Sequence, residues 1–289
     1  MGNIIKKEKI LTNNGKLLEK NNIKCFLSKE NSERKIIHII ITKFMIEFWK
    51  HYGFTKKIYK KEYIQNGIRV MKKYLFPSLQ NQICKDFIWM LRVGDKANIT
   101  YIKSLLNLSL PFKSVIIYNK YYKNFIRNMT KNVDFLITTR IDYDDRIYWN
   151  AVNDVRKAVN ISRPMFLYGY NRGFFYFEDL NIYTDFYNDY KGYGTGSVFA
   201  SLIITTNKVN DSYIIDDLGP HTLLRKNLLK NFKKFGLKKL DYEPSIFEKE
   251  IPKFVWVRQR FSGTFLSYNK PKTKAVNSTD LWKFFEIKK

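Results

Sequence analysis

Four short apolar runs, residues 36–42, 87–93, 114–118 and 135–139, alternate with stretches whose apolar residues recur every three or four positions. No other feature limits the possible folds as tightly. Apolar, β-branched runs bounded by polar residues suit strands buried on both faces. Between the first two runs, Ile64, Ile68, Met71 and Leu75 share one helical face, which Pro77 is expected to end. Asn98 is placed to cap a short helix carrying Ile102, Leu105 and Leu106, and Phe125, Ile126 and Met129 mark another. Strands alternating with helices predict a parallel sheet with right-handed crossovers. Ligands of such sheets bind beyond the carboxyl ends of the strands.

At that end of the fourth run stand three carboxylates, Asp142, Asp144 and Asp145. In an extended backbone Asp142 and Asp144 point to one side and Asp145 to the other. Two same-side carboxylates can take one hard cation, Mg²⁺ or Mn²⁺, whose other positions go to water and phosphate oxygens. The competing reading is a solvated turn that caps the next helix, whose stripe is Tyr148, Val152, Val155 and Val159. Spacing alone leaves both open.

The pattern changes after Pro164. Runs at 165–170, 174–177, 182–186 and 198–205 are short and aromatic, and turn residues separate them, which predicts hairpins or mixed strands. Their aromatics, Tyr168, Tyr170, Phe174, Phe175 and Tyr176, suit core packing better than stacking on a ligand. Gly192, Gly194 and Gly196 lie in a loop whose spacing is not that of a phosphate-binding fingerprint. Gly219 and Pro220 open a basic helix through Phe235 with Leu223, Leu224, Leu228 and Phe232 on its apolar side, and one more strand is expected at 254–257. Residues 1–35 are polar and charged and read as a loose extension. Residues 36–289 then form one domain, divided near residue 150 into a ligand-binding half and a mixed-strand half.

The chain carries 52 Lys and Arg against 26 Asp and Glu, a net charge of +26. The lysines are spread along its whole length, and Asn, Ile, Tyr and Phe are abundant too, so composition bias explains more of that charge than a dedicated polyanion surface does. Two cysteines, Cys25 and Cys84, give neither a disulfide framework nor a zinc spacing, and His38, His51 and His221 are too scattered to suggest a cluster. The apolar stretch from Ile36 to Trp49 carries His38, Lys43 and Glu47 and is too short and too charged to span a bilayer, and no secretory signal is visible. A cytoplasmic protein is expected, soluble or peripherally attached to anionic membrane.

The segments His38-Ile39-Ile40-Ile41-Thr42-Lys43-Phe44, Leu75-Phe76-Pro77-Ser78-Leu79-Gln80-Asn81-Gln82, Phe87-Ile88-Trp89 and Thr138-Thr139-Arg140-Ile141-Asp142-Tyr143-Asp144-Asp145 occur in this order. Together they resemble the rhamnosyltransferase family, within the GT-A type of nucleotide-sugar glycosyltransferases. The resemblance covers residues 36–150 well and the remainder loosely. One departure stands out: the family pattern at the first strand runs Thr-Arg-Phe-Asn, where this chain has Thr42-Lys43-Phe44-Met45.

The resemblance implies a GT-A-like α/β fold: a Rossmann-type, mostly parallel sheet flanked by helices, with a mixed-strand acceptor half. It implies a metal-dependent enzyme that moves a sugar, rhamnose included, from a nucleotide diphosphate-sugar to a glycan acceptor, by an inverting route. Thr42, Lys43, Arg140 and Asp142 are then the nucleotide-sugar contacts. For Arg140 a salt-bridged or solvated arginine is an equal alternative. Asp142, Asp144 and Asp145 would hold Mn²⁺ or Mg²⁺, with His221 as a further ligand, against a surface histidine at a helix start. A general base near the acceptor hydroxyl is required, and Glu178, Asp179, Asp216 and Asp217 are its candidates. The alternative function class is a basic nucleic-acid-binding protein or metal-dependent nuclease. It draws on the charge, on aromatics interleaved with lysine, and on metal-bound carboxylates, which also suit phosphodiester cleavage; against it, no nucleic-acid module is recognisable and no specific nucleic-acid partner is expected.

Overall fold

The computed structural model describes residues 11–12, 35–46, 58–107, 110–159, 163–170, 172–177, 182–187, 199–206, 213–219, 223–234, 245–248, 254–258 and 275–276. The expected alternation is present. Strand β2 (Ile36–Phe44) leads through helices α1 (Lys61–Lys73) and α2 (Leu75–Gln80) to β3 (Ile88–Val93). Helix α3 (Ile99–Leu106), capped by the Asn98 side chain accepting from Tyr101 N at 2.9 Å, leads to β4 (Lys113–Tyr118). Helix α4 (Tyr122–Met129) leads to β5 (Phe135–Arg140). These four strands pair in parallel in the order β4-β3-β2-β5.

Three further strands extend the sheet beyond β5. Strand β10 (Ala200–Thr205) runs antiparallel between β5 and β7 (Met165–Tyr170), and β11 (Ser245–Glu248) lies parallel to β7. At the opposite edge β1 (Leu11–Thr12) pairs antiparallel with β4. So the stretch expected to be a loose extension contributes an edge strand. The result is an α/β fold with a mostly parallel, Rossmann-like sheet flanked by helices, the layout that the GT-A resemblance implies. A second, mixed sheet has the order β13 (Ala275–Val276), β9 (Ile182–Tyr187), β8 (Arg172–Phe177), β12 (Phe254–Arg258), β6 (Arg146–Ile147). The expected hairpin is β8-β9, whereas the neighbouring runs β7 and β10 join the main sheet instead.

Two apolar layers cover the main sheet. On one face Ile40, Phe44, Trp89 and Leu91 pack against Ile64, Ile68 and Met71 of α1, Leu75 and Leu79 of α2, Ile102 of α3 and Val152 and Val155 of α5 (Ala151–Lys157). On the other, Ile39, Ile41, Met90 and Leu136 pack against Phe125 and Ile126 of α4 and Leu224, Leu228 and Phe232 of α6 (Leu224–Lys234). Helices α1–α3 thus lie on one face and α4 on the other. Each fully buried Ile or Phe contributes roughly 1.5–3 kcal/mol. Leu223, expected on the apolar side of α6, is exposed instead.

Pro77 does not stop a helix. The break falls at Tyr74, and Pro77 is the third residue of α2. Amide groups in a first turn have no intrahelical acceptor, so proline costs little there. The Gln82 that ends this motif is a clamp. Its amide donates to Ser78 O (2.9 Å) and Tyr148 O (2.7 Å), and its carbonyl accepts from Val152 N (3.0 Å). Replacing it with Leu strands buried backbone groups, each worth about 1–3 kcal/mol. The Gln82→Leu protein is expected to lose about 2–3 kcal/mol in urea unfolding, and an unchanged midpoint would refute the clamp.

Candidate functional site at the carboxyl edge of the sheet

The connection order reverses between β2 and β5. Strands β2, β3 and β4 step one way across the sheet, and β5 returns to the free side of β2. Such a switch point opens a crevice outside the carboxyl ends of its two strands. Two charged groups of side chains border it.

One is the acidic turn. The backbone does not stay extended past β5, contrary to expectation. Asp145 N donates to Asp142 O at 3.3 Å, which closes a β-turn over residues 142–145, so strict alternation of side chains does not apply. Asp142 is half-buried, Asp144 is largely buried, and Asp145 is fully sequestered, which removes Asp145 from the approach of a hydrated ion. Tyr143 anchors the turn on the α1 face. Its ring meets Phe44 edge-on at 5.4 Å, and its hydroxyl shares a hydrogen bond with Tyr63. Burial, first, raises the Tyr143 hydroxyl well above the usual phenol range, and the Asp144 and Asp142 carboxylates add to it.

Among the described residues no group of three or more His, Cys, Asp or Glu is placed to hold a metal ion. Asp142 and Asp144 are of the residue type that Mg²⁺ or Mn²⁺ takes, one or two protein carboxylates with the rest of the shell from phosphate and water. His221, Glu178 and Asp179 lie outside the described residues.

The second group lies on the opposite face. Lys43, Arg92 and Arg140 occupy equivalent positions, next to last in β2 and β3 and last in β5. The register pairs Lys43 with Arg92, and Arg140 with Ile41 two residues before Lys43. All three therefore project to the α4 face. They converge on Asp216, which sits in a 3₁₀ turn (Ile215–Leu218). Lys43 Nζ is 3.0 Å from one Asp216 oxygen, Arg140 lies 3.8 Å from the same oxygen, and Arg92 pairs with the other. Arg92 also donates to Asn119 (2.5 Å) and stacks 3.6 Å over the Tyr122 ring, while Arg140 donates to Gly219 O (3.0 Å). Gly219 has φ +79°, a backbone region that suits glycine. Burial lowers the Lys43 ammonium, Asp216 pulls it back up, and Arg140 and Arg92 lower it further.

This geometry revises several sequence expectations. Asp216 is committed to three cations. Asp217 accepts from Ile214 N (3.0 Å) and pairs with Lys123 (2.6 Å). Both hold the turn and its neighbours, and neither is arranged as a general base. Thr42 faces the other side of the sheet, fully buried, where its hydroxyl accepts from the Trp89 indole at 3.0 Å, so it faces the core and not the crevice. Lys43 and Arg140 stand at the crevice, but on the far face from Tyr143. Met45 has φ +57°, a backbone region uncommon for non-glycine residues. Arg92 was missed altogether. Its signal was present: each of the three strands closes on a cation followed by one apolar residue, Lys43-Phe44, Arg92-Val93 and Arg140-Ile141.

No known protein family and no curated protein matches the sequence. Among solved structures the chain is similar to a protein described as a nucleotide-diphospho-sugar transferase from Desulfovibrio desulfuricans G20, at 11% identity and a TM-score of 0.37 over 74% of this chain and 80% of that one. It is similar to the inositol-1-phosphate CTP transferase from T. maritima, at 11% identity and a TM-score of 0.37 over 86% and 95% of the two chains. It is similar to HddC from Yersinia pseudotuberculosis, at 13% identity and a TM-score of 0.35 over 86% and 98%. Likenesses of this size carry no residue's role across. Among the described residues no helix is long and apolar enough to cross a membrane.

Proposed function

We propose that this protein is a metal-dependent glycosyltransferase that uses a nucleotide diphosphate-sugar, rhamnose being one candidate sugar, and a glycan acceptor. One observation carries the reading: the β2–β5 switch point is bordered by the Asp142–Asp144 carboxylates on one face and by Lys43 and Arg140 on the other. A diphosphate-sugar needs both kinds of group, because its leaving diphosphate must be neutralised as the glycosidic bond breaks. Asp142 and Asp144 are the residues that would hold Mg²⁺ or Mn²⁺, which supplies Lewis-acid neutralisation of that leaving group. Lys43 and Arg140 add fixed positive charge at the strand ends, placed before the reaction and so needing no reorganisation. Burial of Asp144, beside a partly buried Tyr143, limits water at the turn and would strengthen these interactions. An inverting transfer also needs a base for the acceptor hydroxyl, and with Asp216 and Asp217 engaged elsewhere, Glu178 and Asp179 are the remaining candidates.

A thermal-shift screen of nucleotide-sugars with Mn²⁺ or Mg²⁺ tests the proposal. A true donor at a hundred times its Kd adds about 2.7 kcal/mol of stability. One nucleotide-sugar is expected to stand out, and only with metal. If instead the protein forms a nucleotide-sugar from a nucleoside triphosphate and a sugar phosphate, the activity is nucleotidyl transfer and the glycosyltransferase reading fails.

A further inference from the structure

The motif that ends on Gln82 fixes a stretch of backbone carrying two aromatics. Gln82 donates to Tyr148 O at 2.7 Å, Ala151 N donates to the same carbonyl at 3.1 Å, and Ile83 N donates to Trp149 O at 3.0 Å. Tyr148 and Trp149 stand between buried Ile147 and buried Ala151, yet each is only half-buried. Their rings meet at 4.8 Å with planes 48° apart. Ile83, whose backbone pairs with Trp149, is 61% exposed. Packing at the helix start does not account for Trp149. A hydrophobic residue just before an N-cap often packs on the fourth residue of its helix. In α5 that residue is Asp154, whose carboxylate instead accepts from Asn150 (2.9 Å) and Tyr170 (3.1 Å). The Trp149 indole N–H has no hydrogen-bond partner among the described residues.

We propose that Trp149, with Tyr148 and Ile83, is a platform for a pyranose ring of the glycan acceptor. The inference rests on the proposed sugar transfer and adds the place where its acceptor is held. A pyranose presents an apolar C–H face edged by hydroxyls, and an aromatic plane with an unused donor at its edge matches both. The Gln82 clamp holds the backbone beforehand, so little ordering is needed on binding. The position also fits. Ile147, Ala151 and Val152 belong to the same apolar layer as α1 and α2, and Tyr143 of the acidic turn packs against that layer too. Trp149 follows Asp145 by four residues, at most about 14 Å of extended chain, so an oligosaccharide on the platform lies within reach of the crevice.

Saturation-transfer NMR titration with the methyl glycosides of glucose, galactose, mannose and rhamnose tests the platform. At least one glycoside is expected to bind the wild type, and to bind Trp149→Ala about tenfold more weakly. Trp149→Phe keeps an aromatic plane and should recover most of the affinity. Ile83→Ser, which leaves Trp149 in place, should weaken binding too. Leu229→Ser, which removes an exposed apolar side chain of α6 on the other face of the sheet, should bind like wild type. No binding of any of the four glycosides overturns the proposal, and so does an equal loss in Trp149→Ala and Leu229→Ser. Donor binding in the thermal-shift screen without glycoside binding would leave the transferase reading standing and remove this one. Glycoside binding that needs Trp149, in a protein that binds no nucleotide-sugar, would do the reverse.

Discussion

Under the proposed function, Asp144→Asn is expected to lower sugar transfer by about a hundred- to a thousand-fold, with little change in thermal stability. The expectation rests on the proposed metal site, in which the turn carboxylates would hold the cation. Neutralising a departing diphosphate is worth several kcal/mol, and each 1.36 kcal/mol is a factor of ten in rate. Asparagine keeps the shape of the side chain. It also removes a negative charge from beside the Tyr143 hydroxyl, which that charge helps to hold in its neutral form. Asp142→Asn should show the same pattern more weakly, because Asp142 is the more exposed of the two. Steady-state rates measured across a Mn²⁺ titration decide the matter. A variant that keeps wild-type turnover and metal dependence would show that the turn is only a turn.

Acid should destabilise the fold well above the pH at which carboxylates titrate, and one residue accounts for it. His38 lies inside β2, buried, with its Nε2 2.7 Å from Thr139 Oγ1, which is in turn 2.5 Å from Ser201 Oγ. Its Nδ1 has no hydrogen-bond partner. A bare lone pair costs less than an unanswered N–H, so the proton belongs on Nε2, donated to Thr139. Burial, with the Arg156 cation adding to it, lowers the imidazole from 6.5 to about 3. Above pH 6.5 the ring is neutral in folded and unfolded chains alike, and the full stability is present. Between 6.5 and 3 only the unfolded chain takes up the proton, so stability falls as the pH falls, by about 1.4 kcal/mol per unit. From pH 7 to pH 5 the loss should approach about 2 kcal/mol, and by pH 3 on the order of 4–5 kcal/mol. In His38→Gln, whose amide still reaches Thr139, this part of the slope should vanish. Urea unfolding at pH 7, 6 and 5 measures it. Equal slopes in the two proteins would place the acid sensitivity elsewhere.

The legible part of the site was the part with local causes. Residues 135–139 are apolar and β-branched, so β5 was evident, and three aspartates in four residues announced an acidic turn at its end. What those aspartates face depends on the turn geometry, and the Asp142–Asp145 hydrogen bond replaced the extended backbone that the alternation argument assumed. Thr42 and Lys43 are neighbours in sequence and part company in the structure, because adjacent residues of a strand point to opposite faces. Asp216 looked like a base while its surroundings were unknown. It meets Lys43, Arg92 and Arg140 only because three strands stop at the same level of one sheet.

The sequence by itself determined the alternating strands and helices from 36 to 157, the parallel central sheet that follows from them, and the edge at which a ligand is to be sought. Those rest on periodicity and burial, which are written along the chain. Only the tertiary structure decided that β7 and β10 join the main sheet, and that the acidic turn and the basic trio take opposite faces. Each of these depends on strand order and register, and pairing between residues tens of positions apart leaves no local mark in the sequence.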